Sequence, residues 1–145
     1  ARFGDPETQV VLPRLEGDLL DIMVATAENR LSEIDLAWSD DWAVSVVLAS
    51  GGYPDAYESG KVITGIDEAA ACAGVTVYHA GTKLSDGGDV LTAGGRVLNV
   101  TARGASFAEA RDRAYEAVSR ISWDGMFFRS DIGAKALRGR SAWEV

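Results

Sequence analysis

The segment RFGDPET, residues 2–8, combines one guanidinium group and two carboxylates on a short turn that leads into a predicted helix. An arginine side chain presents a planar fork of donors that grips phosphate or carboxylate oxygens. Carboxylates on the same turn can hold a substrate ammonium group or a metal ion. The alternative is an ordinary helix start, in which Asp5 is the N-cap, Pro6 occupies the first turn and Glu7 complements the helix dipole. The residue types alone leave both interpretations open.

Three glycine-rich stretches could bring backbone amides close to a phosphate group. They are residues 50–54 (SGGYP), 87–88 (GG) and 94–96 (GGR). None has the spacing of a P-loop or of a dinucleotide-binding fingerprint. Turns between short strands are the alternative for all three.

The chain has one histidine, His79, and one cysteine, Cys72. A single cysteine cannot form an intrachain disulfide, and no second histidine is available to build a zinc site with His79. We expect His79 to be structural on its strand, and Cys72, flanked by small residues, to be inert. Lys83 could meet an anion, or it is an exposed loop lysine. A single cysteine fits a reducing cytoplasm, where we expect the protein to be.

Composition narrows the classes of partner. The formal net charge of −8 and the acidic pI of about 4.6 argue against nucleic acid and against an anionic membrane, because phosphates select basic surfaces. No apolar run approaches the roughly 20 residues needed to span a bilayer. We therefore expect small molecules or proteins as partners, with no nucleic acid and no membrane.

The chain divides near residues 39–41 into a helical region and a region of short strands. In the helical region, Asp18 is typical of an N-cap and Arg30 of a last turn. A shorter helix is predicted over residues 6–12. The longer helix would carry one apolar face, because apolar residues recur at steps of three and four. That face comprises Leu20, Met23, Val24, Ala27 and Leu31.

In the second region, short β-branched and apolar runs separated by glycine-rich turns predict mainly antiparallel strands. These strands are residues 43–49, 61–64, 75–80, 90–92 and 96–102. An apolar segment at residues 126–128 follows, and Asp131 is a candidate cap for a last short helix.

The clearest helix begins at Ser106 and Glu109, which form a capping box. Glu109–Arg113 and Glu116–Arg120 can pair at i,i+4 on its solvent face. Its buried stripe would be Phe107, Ala110, Ala114, Val118 and Ile121. The whole pattern predicts an α+β fold: a small, mainly antiparallel sheet with flanking helices.

Six motifs in order, RFGDPETQ, ASGGYP, YESGKVITGID, VYHAGTK, TAGGRVLNVTA and MFFRSDIG, resemble the glycinamide ribonucleotide synthetase family (phosphoribosylamine–glycine ligases). The resemblance covers residues 1 to about 137. It implies the carboxy-terminal part of an ATP-grasp enzyme of de novo purine biosynthesis. Such an enzyme joins 5-phosphoribosylamine to glycine through glycyl phosphate, cleaving ATP to ADP and phosphate with Mg²⁺ or Mn²⁺.

The resemblance also implies a division of the chain. Residues 1–40 would be the helical tail of the ATP-grasp module, and residues 41–145 the carboxy-terminal domain. The family's metal-ligating glutamate and asparagine lie just before the arginine that Arg2 matches. We therefore expect no nucleotide or metal site in this chain, and no turnover by the chain alone.

Site roles follow from the same resemblance. Arg2 matches the family's arginine at the reacting centre and would be catalytic. Asp5 and Glu7 match its acidic pair and would bind the amine substrate. Gly94, Gly95 and Arg96 would form a lip over the phosphoribosyl group; domain packing is the alternative for them.

Two further expectations concern partners. A stand-alone acidic module that binds a phosphorylated metabolite or a protein is the alternative to a ligase fragment. In the ligase interpretation, the helices before residue 39 would pack against ATP-grasp strands in the parent enzyme. Their apolar face would then stay partly exposed here, together with residues 10–12, and favour self-association.

Overall fold

A computed structural model describes residues 2–138. The strands are β1 (Leu15–Glu16), β2 (Ala37–Trp38), β3 (Trp42–Ser50), β4 (Val75–His79), β5 (Thr82–Leu84), β6 (Val90–Thr92), β7 (Arg96–Gly104) and β8 (Met126–Phe128). The helices are α1 (Thr8–Val11), α2 (Leu19–Ala27), α3 (Ile66–Ala70), α4 (Phe107–Val118) and α5 (Ala134–Arg138), with 3₁₀ turns at Leu12–Arg14 and Leu31–Glu33.

The central sheet has four antiparallel strands in the order β4–β7–β3–β8. Two strand pairs, β1–β2 and β5–β6, lie outside it. The predicted α+β class with a small antiparallel sheet is confirmed.

The core lies between one face of this sheet and α4. Small alanines on the helix allow its backbone to approach the sheet closely, so that branched side chains of β3 and β7 fill the space between them. The buried core residues include Val44, Val46, Leu48, Leu98, Val100 and Ala102 from the sheet, and Ala110, Ala114, Ala117 and Val118 from α4.

The start of α4 follows the predicted capping box. Ser106 Oγ accepts a hydrogen bond of 3.2 Å from the Glu109 amide, and the Glu109 carboxylate accepts one of 2.7 Å from the Ala105 amide. Both predicted i,i+4 ion pairs form, Glu109–Arg113 and Glu116–Arg120. The predicted stripe is buried, except that Phe107 is half-buried.

The second face of the sheet is covered by an N-terminal segment, which we define as residues 2–14. Within this segment α1 contacts β3 and β7. The prediction that Asp5 is an N-cap and Pro6 lies in the first turn is wrong: α1 begins at Thr8, after Glu7, and no side chain caps it. The Asp5 carboxylate instead accepts a hydrogen bond from the Gln9 side chain and pairs with Arg96, so it does not cap the helix.

Asp18 caps α2 as predicted, since its carboxylate accepts a hydrogen bond of 2.7 Å from the Leu20 amide. The helix ends at Ala27, before Arg30. Its predicted apolar face points to solvent, with Leu20 65% and Met23 48% exposed. Its covered side instead carries Ala25. Residues 10–12 are half-buried rather than exposed.

Two predictions in the second region are wrong. Residues 61–64 form no strand: Val62 and Thr64 make single bridges to Leu91 and Ser122, so hydrogen bonding switches partner within three residues. The last helix begins at Ala134, three residues beyond Asp131, whose carboxylate binds Arg129 instead.

Within residues 2–138, no helix combines the length and apolar character that crossing a membrane requires.

Candidate functional site

The structure brings Asp5 and Arg96, two of the predicted site residues, into direct contact. Arg96 Nη1 donates a hydrogen bond of 3.0 Å to the Asp5 carbonyl, and Arg96 Nη2 lies 3.1 Å from Asp5 Oδ2. One guanidinium therefore binds both the backbone and the carboxylate of a residue 91 positions away. The two side chains are 41% and 40% exposed, so the pair lies at the surface.

The turn between Gly4 and Thr8, which contains Glu7 and follows Arg2 in the chain, is closed by hydrogen bonds to one carbonyl. Both the amide and the hydroxyl of Thr8 donate to the Gly4 carbonyl, at 2.8 Å and 2.6 Å. A side chain at Gly4 would lie 2.7 Å from Glu7 Oε2, so glycine leaves room for that carboxylate. The Arg2 and Glu7 side chains are exposed. Within residues 2–138, neither forms an ion pair.

Gly94 and Gly95 adjoin Arg96, and their contacts are with other parts of the protein. Ser50 Oγ donates a hydrogen bond of 2.9 Å to the Gly94 carbonyl, and the Ser50 amide donates one of 2.8 Å to the Gly95 carbonyl. A Cβ at Gly95 would fall 2.1 Å from the Tyr53 ring. The absence of a side chain at Gly95 therefore makes room for Tyr53, and a role of this loop in substrate binding stays a prediction.

A second small cluster lies on the other side of the Ser50–Gly52 loop. A cavity of about 120 Å³ is lined by residues that include Ser50, Lys61 and Asp124. Lys61 Nζ lies 2.9 Å from a Glu58 carboxylate oxygen and 3.3 Å from one of Asp124. Hydrogen bonds to Glu58 and then Asp124 raise the pKa of Lys61, so it stays charged at neutral pH.

Other residues singled out in the sequence lie elsewhere. His79 is exposed at the end of β4, with Nδ1 3.0 Å from Thr82 Oγ1, and Lys83 is exposed on β5. Cys72 is half-buried after α3. Sequence reasoning did not single out Ser50 or Tyr53 as individual residues, although it did mark the glycine-rich loop that contains them.

The surface at residues 2–7 presents three charged groups: the Arg2 guanidinium and the Glu7 carboxylate, which form no ion pair among residues 2–138, and the Asp5 carboxylate, which pairs with Arg96. Such a surface can contact an anionic group at Arg2 and an amine at Glu7. A metal ion fits it poorly. Among residues 2–138, no three His, Cys, Asp or Glu side chains lie close enough together to hold one.

Comparison with known protein families identifies the domain. A family model described as "Phosphoribosylglycinamide synthetase, C domain" matches residues 43–135, which is more than half of the chain. The chain belongs to the phosphoribosylglycinamide synthetase family. The resemblance seen in the sequence motifs is thereby confirmed.

Curated relatives in this family are named phosphoribosylamine–glycine ligase. The chloroplastic protein of Arabidopsis thaliana is 54% identical over 138 residues, which cover 94% of this chain and 26% of that protein. The Streptomyces coelicolor protein is also 54% identical, over 94% of this chain and 33% of that protein. The chain thus spans about a quarter to a third of the length of these relatives.

A solved structure in the family has the same fold. The crystal structure of phosphoribosylamine–glycine ligase from Thermotoga maritima superposes with a TM-score of 0.69 at 33% sequence identity. The match covers 90% of this chain and 31% of that one. The architecture described above is therefore that of a part of a synthetase of this family.

Proposed function

We propose that the protein to which this chain belongs is a phosphoribosylamine–glycine ligase. The observation that carries the proposal is the identity of 54% to ligases so named, over 94% of the chain. In the proposed reaction the γ-phosphoryl group of ATP passes to the glycine carboxylate, giving ADP and glycyl phosphate. The amine of 5-phosphoribosylamine then attacks the acyl carbon, phosphate leaves, and the amine proton is released as the amide forms.

Arg2 is the proposed catalytic residue of this chain. Its guanidinium would neutralise charge on the transferring phosphoryl group and on the acyl phosphate, as fixed positive groups do in such reactions. Its exposure and its lack of an ion-pair partner within residues 2–138 support this role, because the donors stay available.

Asp5 and Glu7 are the proposed contacts to the amine substrate, since their carboxylates lie on the closed turn between Gly4 and Thr8, directly after Arg2 in the chain. The proposed lip over the phosphoribosyl group of the substrate consists of Gly94, Gly95 and Arg96. Arg96 Nη1 donates a hydrogen bond to the Asp5 carbonyl and Arg96 Nη2 lies in an ion pair with its carboxylate, which leaves other guanidinium N–H groups for a phosphate oxygen.

The proposed division is that residues 1–40 are the tail of the ATP-grasp module and residues 41–145 the carboxy-terminal domain. ATP and Mg²⁺ or Mn²⁺ would be held outside this chain, because the family's metal-ligating glutamate and asparagine precede the arginine that Arg2 matches. We further propose a cytoplasmic enzyme with small-molecule substrates and with neither nucleic acid nor membrane as partner. The name of the Arabidopsis relative describes that protein as chloroplastic.

The test compares the full-length protein with the isolated chain of 145 residues. The full-length protein should convert ATP to ADP over many turnovers only when glycine and 5-phosphoribosylamine are both present. The isolated chain should give no turnover and, in calorimetric titration with MgATP, no saturable binding in the micromolar range. Saturable binding to the isolated chain would contradict the proposed place of the nucleotide. Absence of substrate-dependent ADP formation by the full-length protein would favour a binding module instead.

A further inference from the structure

Strand β7 holds the N-terminal segment at two points through arginines near its two ends. Arg96 binds the carbonyl and the carboxylate of Asp5, at 3.0 Å and 3.1 Å. Arg103 Nη1 donates a hydrogen bond of 3.2 Å to the Pro13 carbonyl. The segment therefore lies along β7, with α1 between the two contacts.

A regular strand could not place both arginines on one side. Successive side chains of a strand point to opposite faces, and the two arginines are an odd number of positions apart. The register between β3 and β7 shifts at this point: Leu48 pairs with Leu98, but Ala49 pairs with Arg96. Val97 is the extra residue of a bulge, and it is buried in the core together with Leu98. The bulge therefore turns Arg96 toward the N-terminal segment.

The two ends of the segment are not tied equally. At the Pro13 end, Arg14 and Ser39 also exchange two hydrogen bonds, with the Ser39 amide donating to Arg14 at 2.8 Å and Arg14 Nη2 donating to Ser39 at 3.0 Å. At the Asp5 end, the contacts from the sheet to Asp5 within the described residues come from Arg96. Removal of Arg96 should therefore release the end that carries Arg2, Asp5 and Glu7.

We infer that Arg96 is a positioning residue: it acts through Asp5 to fix the orientation of the turn at residues 2–7 toward the reacting groups. This inference rests on the proposed ligase function. This role adds to the proposed contact between Arg96 and the phosphoribosyl group, and it predicts a further effect on the chemical step and on the order of the segment. Misplacement of a catalytic group by about 1 Å can lower a rate by about a hundredfold.

The experiment uses the full-length protein with Arg96→Gln, and Arg120→Gln as the matched control. Arg120 is comparably exposed, at 45%, and within residues 2–138 its ion pair is with Glu116 on the solvent face of α4. For Arg96→Gln we expect kcat to fall about tenfold to a hundredfold while KM for ATP stays within about twofold. Amide exchange measured by mass spectrometry should quicken in peptides that cover residues 3–11. Arg96→Lys should recover part of both losses, because an ammonium group can reach one of the two Asp5 oxygens.

A double-mutant cycle with Asp5→Ala separates the two roles of Arg96. If Arg96 acts through Asp5, the kcat of the double variant should match that of Asp5→Ala alone. If the two single variants lose kcat independently, so that their losses multiply in the double variant, the inference is overturned. A raised KM for 5-phosphoribosylamine with normal kcat and normal amide exchange would also overturn it, and would leave direct substrate contact as the role of Arg96. Should the full-length protein lack ligase activity, the proposed function fails, and the exchange of residues 3–11 still tests the contact. If amide exchange of residues 3–11 is unchanged in both Arg96→Gln and Asp5→Ala, the inferred positioning role of Arg96 is overturned.

Discussion

Arg2 and Arg96 are both surface arginines close to one turn, yet the structure gives them different surroundings. Arg96 is held by two contacts to Asp5. Arg2 forms no ion pair within residues 2–138. A guanidinium already bound to a carboxylate has part of its charge compensated, whereas a free one can meet charge that develops in a transition state. The difference in surroundings therefore favours Arg2 as the catalytic group and Arg96 as the positioning residue that holds the turn.

We predict that Arg2→Ala in the full-length protein lowers kcat about a hundredfold to a thousandfold, a loss of about 2.7–4 kcal/mol. KM for ATP should change little, because the interaction strengthens only as phosphoryl transfer proceeds. Steady-state kinetics with each substrate varied in turn provides the measurement. Arg30→Ala is the control, since Arg30 is an exposed arginine that pairs locally with Glu28 and Glu33. Near-normal kcat for Arg2→Ala would contradict a catalytic role for Arg2 and leave it a structural residue.

At the scale of elements, local patterns predicted those structures whose stabilising contacts are themselves local. The capping box and stripe of α4 were identified because Ser106, Glu109 and the alanines lie within a few turns of one another. The segment at residues 61–64 was wrongly predicted as a strand. Its β-branched residues fit a strand, but its bridges go to two different partners far away in the chain.

In the candidate site, too, sequence patterns could not predict a contact between residues that lie far apart in the chain. The residues of the site were identified one motif at a time, from glycine-rich turns and a resemblance. The contact between Asp5 and Arg96 spans 91 positions and depends on a bulge at Val97. A bulge of this kind leaves no mark in a period-two pattern, because both Val97 and Leu98 are apolar.

A pair of glycine substitutions tests the packing at Gly65, the N-cap of α3. Gly65 and Gly60 both have left-handed backbone conformations, with φ of 81° and 84°. A Cβ at Gly65 would lie 1.8 Å from the Arg120 carbonyl oxygen, whereas nothing lies within 4 Å of one at Gly60. We expect Gly65→Ala to lower the free energy of unfolding by about 1–3 kcal/mol more than Gly60→Ala, because only the former adds a clash with backbone to the conformational strain. Urea denaturation of the isolated chain at low concentration measures both, and equal losses would contradict the described approach of the two backbones.

At the scale of the whole molecule, the sheet is covered on both faces, but α2 is not. One face packs on α4 and the other on α1. Large apolar side chains of α2 and of the residues after it remain exposed. They are Leu20, Met23, Val24, Leu31, Leu36 and Trp38. Contiguous apolar surface of more than a few hundred Å² is uncommon on monomeric proteins and usually marks a surface that another protein covers.

We predict that the isolated chain self-associates through this surface, with a symmetric pair as the simplest arrangement. Light scattering across a dilution series should show a mass above that of the monomer at high concentration and a return to 15.4 kDa on dilution. The double variant Leu20→Lys, Met23→Lys should stay monomeric. Although two lysines make the net charge of −8 less negative, they oppose a symmetric pair through their desolvation and through repulsion between the two copies at the interface. Leu84→Lys is the control, since Leu84 is 72% exposed and lies on β5, away from this surface. A monomeric mass for the unmodified chain at high concentration would show that the exposed face of α2 does not bind a second copy.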